Sequence, residues 1–215
     1  MQLVSFSKFS LAIICLSSIA FSTHSQETSA SDSLKPILGS LQSYRASFVQ
    51  LIQDAEGETL QQSEGLMSLK KPNMLRWEVS LPDASLFVAD GLVIYNLDPF
   101  VEQVTLLDQA DIVNNNPLML LISDDTEAWD KVDISYENGE YWLKSNDENA
   151  NISLLKLRFV EGVLQSLHSV DRQQQSNIIE FSSIQHNLNI ADSAFRVDIP
   201  ESYIVDDQRK SAAQP

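Results

Sequence analysis

The chain has 215 residues, too few to make two ordinary domains the default, and it carries 30 acidic against 14 basic side chains. The resulting charge of −16 argues against nucleic acid as a partner and against stable membrane insertion, because phosphates and anionic lipid head groups repel acidic side chains. A requirement for solubility alone would also account for this charge.

Residues 1–25 have the pattern of a cleaved signal peptide. Lys8 is their only lysine, arginine or acidic residue, and an apolar run follows from position 9 to position 21. This run is shorter than the roughly 20 residues of a membrane span, which disfavours the alternative of an uncleaved anchor helix. Small residues allow cleavage after Ser25 or, alternatively, after Ser22. We therefore expect an exported protein.

Cys15, the only cysteine, lies inside this apolar run. A lipoprotein signal needs small residues directly before its cysteine, whereas Ile13 and Ile14 occupy those positions. We therefore expect no lipid anchor at Cys15 and a single mature domain, residues 26–215, without disulfides. Such an exported domain depends on its hydrophobic core for stability, and about 190 residues are enough to build one.

The folded part is predicted to begin with a short amphipathic helix. Asp32 or Ser33 is the candidate N-cap, and Pro36 fits the first turn. Apolar residues follow at the i, i+3, i+4 and i+7 spacing of one helix face: Leu34, Ile37, Leu38 and Leu41.

Most of the remaining chain has the pattern of short β-strands. Turn signals between them include Gly57, Asp90-Gly91 and Asn138-Gly139. The close spacing predicts ten or eleven strands in an antiparallel sheet that curls into a barrel or half-barrel. The strand-like runs are 48–52, 59–69, 75–79, 86–89, 93–96, 101–107, 132–136, 141–144, 155–159, 164–170 and 178–188. The chain after Pro200 is predicted to be a tail.

One face of the predicted sheet is apolar. Around the corner at Lys71-Pro72, Leu75, Trp77 and Val79 fall on one side of a strand and charged residues on the other. The pattern indicates an apolar inner wall with a cationic rim. The inner face is predicted to carry Trp77, Phe87 or Val88, Ile94, Leu155 and Leu157.

Residues 108–125 interrupt the strand pattern. Residues 114–117 predict a loop, and five apolar residues follow: Leu118, Met119, Leu120, Leu121 and Ile122. This segment is too short for an ordinary amphipathic helix and is apolar all round, so it must be covered by other parts of the protein. Folding over the inner face of the sheet would cover both surfaces.

The sequence contains no catalytic motif. It lacks a Gly-x-Ser-x-Gly elbow, a His-Glu-x-x-His zinc pattern and a phosphate-binding glycine loop. His168, Asp171 and a serine could be combined into a triad, but nothing in the sequence orders them. We expect no enzyme activity, no cofactor and no metal site. The apolar wall favours a binder of apolar material.

Several motifs in a fixed order carry a family resemblance. They are Ala46-Ser47-Phe48, Lys71-Pro72-Asn73 with Trp77, Pro99-Phe100-Val101-Glu102-Gln103, Pro117 with Met119-Leu120, and Val205 to Lys210. In this order they resemble the LolA family, the periplasmic carriers of outer-membrane lipoproteins in Gram-negative bacteria. The resemblance extends from about Leu34 to Lys210.

This resemblance implies a mainly β fold, a half-open antiparallel β-barrel of about 11 strands covered by a lid of short α-helices. It implies a lid latch at Lys71 and a transporter-docking position at Leu75. The family often has arginine at the first position and an aromatic residue at the second, so both depart from its pattern. Residues implied to line the lipid cavity or lid are Phe48, Trp77, Leu118, Met119, Leu121, Ile122 and Leu167.

The resemblance also implies a periplasmic monomer that takes lipoproteins from a LolCDE-type inner-membrane ABC transporter and delivers them to a LolB-type outer-membrane receptor. The alternative is a related half-barrel module, either a lipoprotein receptor or an envelope-stress sensor. A receptor needs a lipid anchor, which the residues before Cys15 disfavour. A sensor usually carries a second domain, for which the sequence leaves no length.

Overall fold

A computed structural model of the protein describes residues 29–111, 118, 121, 132–148 and 150–210. The predicted signal peptide, the predicted loop 114–117, Met119 and Ile122 lie outside these residues. Within the described part, no helix is long and apolar enough to cross a membrane.

The described elements are one eleven-residue α-helix, twelve β-strands and two short 3-10 turns. The helix α1 spans Ala30–Ser40, and the 3-10 turns span Gln109–Asp111 and Asp192–Phe195. The strands are β1 Ser43–Gln53, β2 Thr59–Lys70, β3 Met74–Leu81, β4 Ser85–Asp90, β5 Val93–Asp98, β6 Gln103–Asp108, β7 Val132–Glu137, β8 Glu140–Ser145, β9 Ile152–Val160, β10 Val163–Asp171, β11 Ser176–His186 and β12 Ile204–Asp207.

All twelve strands belong to one sheet, in the order β12-β6-β5-β4-β3-β2-β1-β11-β10-β9-β8-β7. Neighbouring strands are antiparallel except β12, which pairs in parallel with β6. Because β12 and β7 are its two edges, the sheet is open rather than closed into a barrel. The predicted half-open architecture is confirmed, with one strand more than expected.

The additional strand lies in the stretch that was predicted to be a tail. Residues 204–207 run alongside β6, and the N–H of Ile204 donates to the carbonyl of Glu102 at 2.8 Å. Arg209 then closes the strand with hydrogen bonds to the Asp207 carboxylate. Its residues, two apolar followed by two acidic, do not alternate, so the sequence gave no signal of this strand.

Turn chemistry sets the register of the hairpins. Asn138 and Gly139 both have positive φ, 53° and 86°, which is the requirement of a type I′ turn between β7 and β8. Between β4 and β5, the two loop residues are Gly91 and Leu92. The Asp90 carboxylate accepts the N–H of Leu92, so the predicted hairpin forms with its loop one residue later than the Asp90-Gly91 signal suggested.

Helix α1 begins earlier than the sequence predicts. Its N-cap is Ser29, whose hydroxyl accepts the N–H of Asp32, so neither Asp32 nor Ser33 is the cap. Pro36 consequently lies inside the helix rather than in its first turn, and Leu41 is the C-cap. The first turn of α1 carries no apolar side chain larger than alanine, and periodicity therefore could not reveal its start.

The main core lies between α1 and the inner face of the sheet. Leu34 and Leu38 of α1 are buried against side chains from most strands. The predicted inner face is confirmed, with Phe87 rather than Val88 on this side. Sheet residues in this core include Phe48, Met67, Leu75, Ile94, Leu143, Leu155, Leu157, Leu167 and Phe181, with Trp77 and Phe87 partly buried against them.

The outer face of β3–β6 is covered by residues 190–203, which we call the strap. Its Ile190 and Phe195 are buried against Val88, and further apolar residues of the strap pack on β5 and β6. Lys70 fastens the strap, because its ammonium donates to the carbonyl of Ile190 at 2.8 Å and pairs with Asp192. The hydrogen bond from Lys70 holds the pKa of the Asp192 carboxyl below its usual range.

Gly65 allows β1, β2 and β3 to come together under the ring of Phe48. A Cβ atom at this position would lie 1.9 Å from the carbonyl oxygen of Glu78 and 2.8 Å from Cζ of Phe48. The backbone oxygen cannot move without disrupting the pairing of β2 with β3, so only glycine fits.

We expect Gly65→Ala to lower the free energy of unfolding by about 2 kcal/mol or more, because the added methyl overpacks the core. Urea denaturation followed by tryptophan fluorescence measures this change. Gly39→Ala is the matched control: its Cβ meets nothing within 4 Å, and alanine in a helix is neutral or stabilising by up to about 1 kcal/mol. Equal stability of the two variants would contradict the close approach at Gly65.

Candidate functional site

The inner face of the sheet is covered by the chain's own helical residues. Leu34 and Leu38 come from α1, and Leu118 and Leu121 are a second pair in helical conformation, which we call the lid pair. All four are buried in the main core with sheet residues such as Leu167. An apolar ligand that binds this face must therefore displace side chains that already occupy it.

An aromatic pair forms part of the same surface. The rings of Phe48 on β1 and Trp77 on β3 are stacked, with centroids 3.6 Å apart and planes inclined by 21°. Gly65 on the intervening strand makes room for this contact. The stack spans three strands and gives the inner face a broad apolar area. Phe48, Trp77 and Leu167 thus belong to one apolar cluster on the inner face, and their role in lining a lipid cavity stays a prediction.

Lys71 joins the corner between β2 and β3 to helix α1. Its ammonium donates to the carbonyl of Leu38 at 2.8 Å, and its backbone N–H donates to the carbonyl of Gln42 at 2.9 Å. The Leu38 carbonyl also accepts the N–H of the C-cap Leu41 at 3.2 Å. Carbonyls in the last turn of a helix carry partial negative charge, so a cation is favourable here. The geometry is that of an attachment between sheet and helix; the latch role of Lys71 in lid opening remains a prediction.

A buried glutamine, which sequence reasoning missed, supports the same corner. Gln109 follows β6, and its side chain is buried. Its Oε1 accepts the N–H of Gly91 at 2.9 Å, and its Nε2 donates to the carbonyl of Asn73 at 2.6 Å. The corner that carries Lys71 is thereby tied to the point where the chain leaves β6 toward the lid pair. One glutamine after a strand gave no signal of this role.

Leu75 does not lie on the surface in this conformation. Its side chain is 1% exposed, in register with Leu69 on β2 and Ala89 on β4, and it belongs to the main core. Docking on a transporter requires an accessible side chain. At Leu75 the structure shows core packing, and its transporter-docking role stays a prediction.

His168 lies on the outer face, away from the apolar surface. Its Nε2 is 3.3 Å from the hydroxyl of Ser176, while the Asp171 carboxylate accepts the N–H of Gln175. Burial, together with the nearby Lys156, lowers the pKa of His168. These residues do not form a catalytic triad, and the described residues contain no group of side chains suited to hold a metal ion.

Comparison with known proteins identifies the family. The sequence profile described as outer membrane lipoprotein carrier protein LolA matches residues 39–198. The chain belongs to the LolA family. Two relatives are outer-membrane lipoprotein carrier proteins: that of Actinobacillus succinogenes is 34% identical over 84% of this chain and 87% of its own. That of Idiomarina loihiensis is 33% identical over 86% and 90%.

A solved structure supports the fold. An uncharacterized conserved protein from Thermus thermophilus superposes with a TM-score of 0.53 and 11% identity, covering 82% of this LolA-family chain and 99% of that protein. At this identity the likeness concerns architecture alone. Family membership also agrees with the expectation of a protein without enzyme activity, since LolA is a family of carrier proteins.

We expect Lys71→Leu to loosen α1, because the Leu38 carbonyl loses a charge-assisted hydrogen bond of about 1–3 kcal/mol. Lys71→Arg should retain most of this bond, since a guanidinium also donates. Amide hydrogen exchange of α1 measures the effect: exchange should accelerate in Lys71→Leu and change little in Lys71→Arg. Lys35→Leu, an exposed site on α1, is the control. Unchanged amide exchange of α1 in Lys71→Leu would show that Lys71 does not hold α1 to the sheet.

Proposed function

We propose that this chain is a periplasmic carrier that binds the acyl chains of outer-membrane lipoproteins on the inner face of its sheet. The observation that carries the proposal is membership of the LolA family over residues 39–198, with relatives that cover most of the chain. The geometry supports it, because the inner face of the sheet is apolar and is covered by leucines of α1 and of the lid pair.

The physical problem of such a carrier is release rather than binding. Each buried CH₂ group contributes about 0.8 kcal/mol, so one chain of ~16 carbons offers on the order of 10 kcal/mol. Bound to an open, unoccupied cavity, a lipoprotein would dissociate too slowly to be handed on. A carrier therefore needs an empty state that is itself stable.

The covered inner face provides such a state. When no lipid is bound, α1 and the lid pair bury their leucines where acyl chains would lie, and Lys71 holds α1 in place. An incoming lipid gains apolar contacts with the sheet, but the leucines that it displaces lose theirs. The net free energy of binding is therefore smaller than the burial of the acyl chain alone would give. Binding then shifts a population between covered and open states, and release reverses this shift.

We propose that the carrier receives lipoprotein from a LolCDE-type ABC transporter in the inner membrane and delivers it to a LolB-type receptor in the outer membrane. The charge of −16 supports this route, because it opposes adsorption to the anionic surfaces between which the protein diffuses. It acts as a monomer, with cargo bound by one protein at a time.

The carrier role predicts that the purified protein releases lipoproteins from spheroplasts into the medium. The released lipoprotein should co-elute with the carrier in size-exclusion chromatography, because its acyl chains remain covered. Immunoblotting of the supernatant measures the release, and heat-denatured protein is the control. Release no greater than in this control would count decisively against the proposed function.

The competition between lid and lipid predicts a second result. Cysteines at Leu121 and Leu167, joined by a short cross-linker, hold the lid pair on the sheet and should abolish lipoprotein acceptance in the spheroplast assay. The same double variant without cross-linker and the two single variants treated with it are the controls, and they should accept lipoprotein. Normal acceptance by the cross-linked protein would show that lipid binds without displacing the lid pair.

A further inference from the structure

Three large apolar side chains are exposed together at one end of β5, β6 and β12. Phe100 and Val101 occupy the turn between β5 and β6, and Phe100 is 90% exposed. Ile204 is 66% exposed and is joined to this turn by its hydrogen bond to the carbonyl of Glu102. We call Phe100, Val101 and Ile204 the apolar tip. Single exposed apolar residues are ordinary on proteins, but a cluster marks a candidate interaction surface.

The backbone holds this tip in a defined shape. The Asp98 carboxylate accepts the N–H of Phe100 at 2.9 Å and that of Val101 at 3.4 Å. Glu102 adopts a φ of 51°, in the left-handed region that side chains other than glycine rarely enter. Tyr203, next to Ile204, packs on the outer-face core beneath. A partner that binds the tip therefore has little conformational entropy to remove.

The surroundings of the tip are acidic. Asp98 is the last residue of β5, Glu102 lies in the turn and Glu201 lies on the adjoining strap, and all three are exposed. No lysine or arginine occurs between Arg76 and Lys131, so β4, β5 and β6 carry only acidic charges. The apolar tip is therefore surrounded by negatively charged side chains.

The basic residues nearest to the tip in sequence do not neutralise these negative charges. Arg209 follows β12 and donates hydrogen bonds to the Asp207 carboxylate. These bonds lower the pKa of the Asp207 carboxyl to about 2. Arg209 lies toward the end of β6 that is opposite the tip. At that end the N–H of Lys210 donates to the Asp108 carboxylate. Arg196 lies on the strap beside Asp192, where Lys70 and, to a smaller extent, Arg196 lower the pKa of the carboxyl.

We propose that the apolar tip docks a partner protein that presents an apolar pocket bordered by lysine or arginine side chains. Phe100 enters the pocket, and Asp98, Glu102 and Glu201 face its basic border. The inference rests on the proposed carrier function, in which the partner is one of the two proteins that exchange lipoprotein with the chain. An aromatic anchor supplies affinity in such a contact, and opposite charges accelerate encounter.

A membrane surface fits the same residues less well. An exposed phenylalanine can insert between lipid head groups, but three carboxylates around it are repelled by anionic lipids. The acidic rim therefore favours a basic protein over a lipid surface.

The test uses two matched pairs of variants of the full chain. Phe100→Ser removes the aromatic anchor, and Leu92→Ser is its control, since Leu92 is 80% exposed in the turn at the other end of the same strands. Glu102→Lys reverses a rim charge, and Glu161→Lys is its control. Glu161 is also exposed and has nearly the same backbone conformation, with a φ of 50° against 51°.

Surface plasmon resonance measures binding to two probes from the same bacterium: the ABC transporter in nanodiscs and the receptor without its lipid anchor. For at least one probe, Phe100→Ser should weaken binding about tenfold or more, and Leu92→Ser by less than about twofold. Glu102→Lys should slow association and reduce its dependence on salt, whereas Glu161→Lys should not.

Three results would overturn the proposal. They are absence of wild-type binding to both probes, equal binding by Phe100→Ser and Leu92→Ser, and co-flotation with phosphatidylglycerol vesicles that depends on Phe100. The last would identify a membrane as the occupant. Release of lipoprotein from spheroplasts tests the carrier role separately. If the wild type releases lipoprotein but Phe100→Ser binds both probes as well as the wild type does, the carrier role stands and only the docking surface is wrong.

Discussion

The structure depends on one requirement, that the apolar inner face of an open sheet must be covered at all times. A closed barrel would bury this face permanently, whereas β7 and β12 remain separate edges here. The chain meets the requirement with leucines from α1 and from the lid pair, which contact the sheet without being strands of it. The proposed carrier function requires this cover to leave while the sheet stays folded. In that proposal the sheet provides the stability of the protein, and the covering helical residues control access to its inner face.

A small set of polar contacts holds the movable cover to the fixed sheet. Lys71 reaches α1, and Gln109 connects the corner of Lys71 to the end of β6. Each contact joins a side chain to a backbone group and contributes about 0.5–1.5 kcal/mol for Gln109 and about 1.5–3 kcal/mol for the charged Lys71, less than the apolar burial beneath. In the proposed carrier function, bonds of this size position the cover and still allow a lipid chain to displace it. At position 71 a single ammonium makes the contact with α1.

Alternation and turn chemistry predicted most strands and the hairpin at Asn138-Gly139. These features are local, and residues two to four apart determine them. The close spacing of the strands predicted a barrel or half-barrel, and the half-open form was implied by the family resemblance. What escaped prediction is set by distant partners. The strand β12 exists because β6 offers an edge, the role of Gln109 exists because Asn73 and Gly91 lie beside it, and Leu75 is buried by neighbours on two other strands. No pattern within a short window contains such information.

The strap has a further consequence for how the sequence of this sheet is read. Where Ile190 and Phe195 of the strap pack on Val88, β4 is apolar on both sides and reads Leu86-Phe87-Val88-Ala89 without a break. The neighbouring β3 still alternates, with Arg76 and Glu78 on its outer face. Where no strap lies, β9 alternates Leu155-Lys156-Leu157-Arg158. The sequence could not decide whether Phe87 or Val88 lies on the inner face, because both side chains pack against apolar residues, Phe87 on the inner face and Val88 on the outer face. The middle of β4 thus lies between two apolar layers, whereas the outer face of β9 carries charged side chains, and the unbroken apolar run distinguishes the first strand from the second.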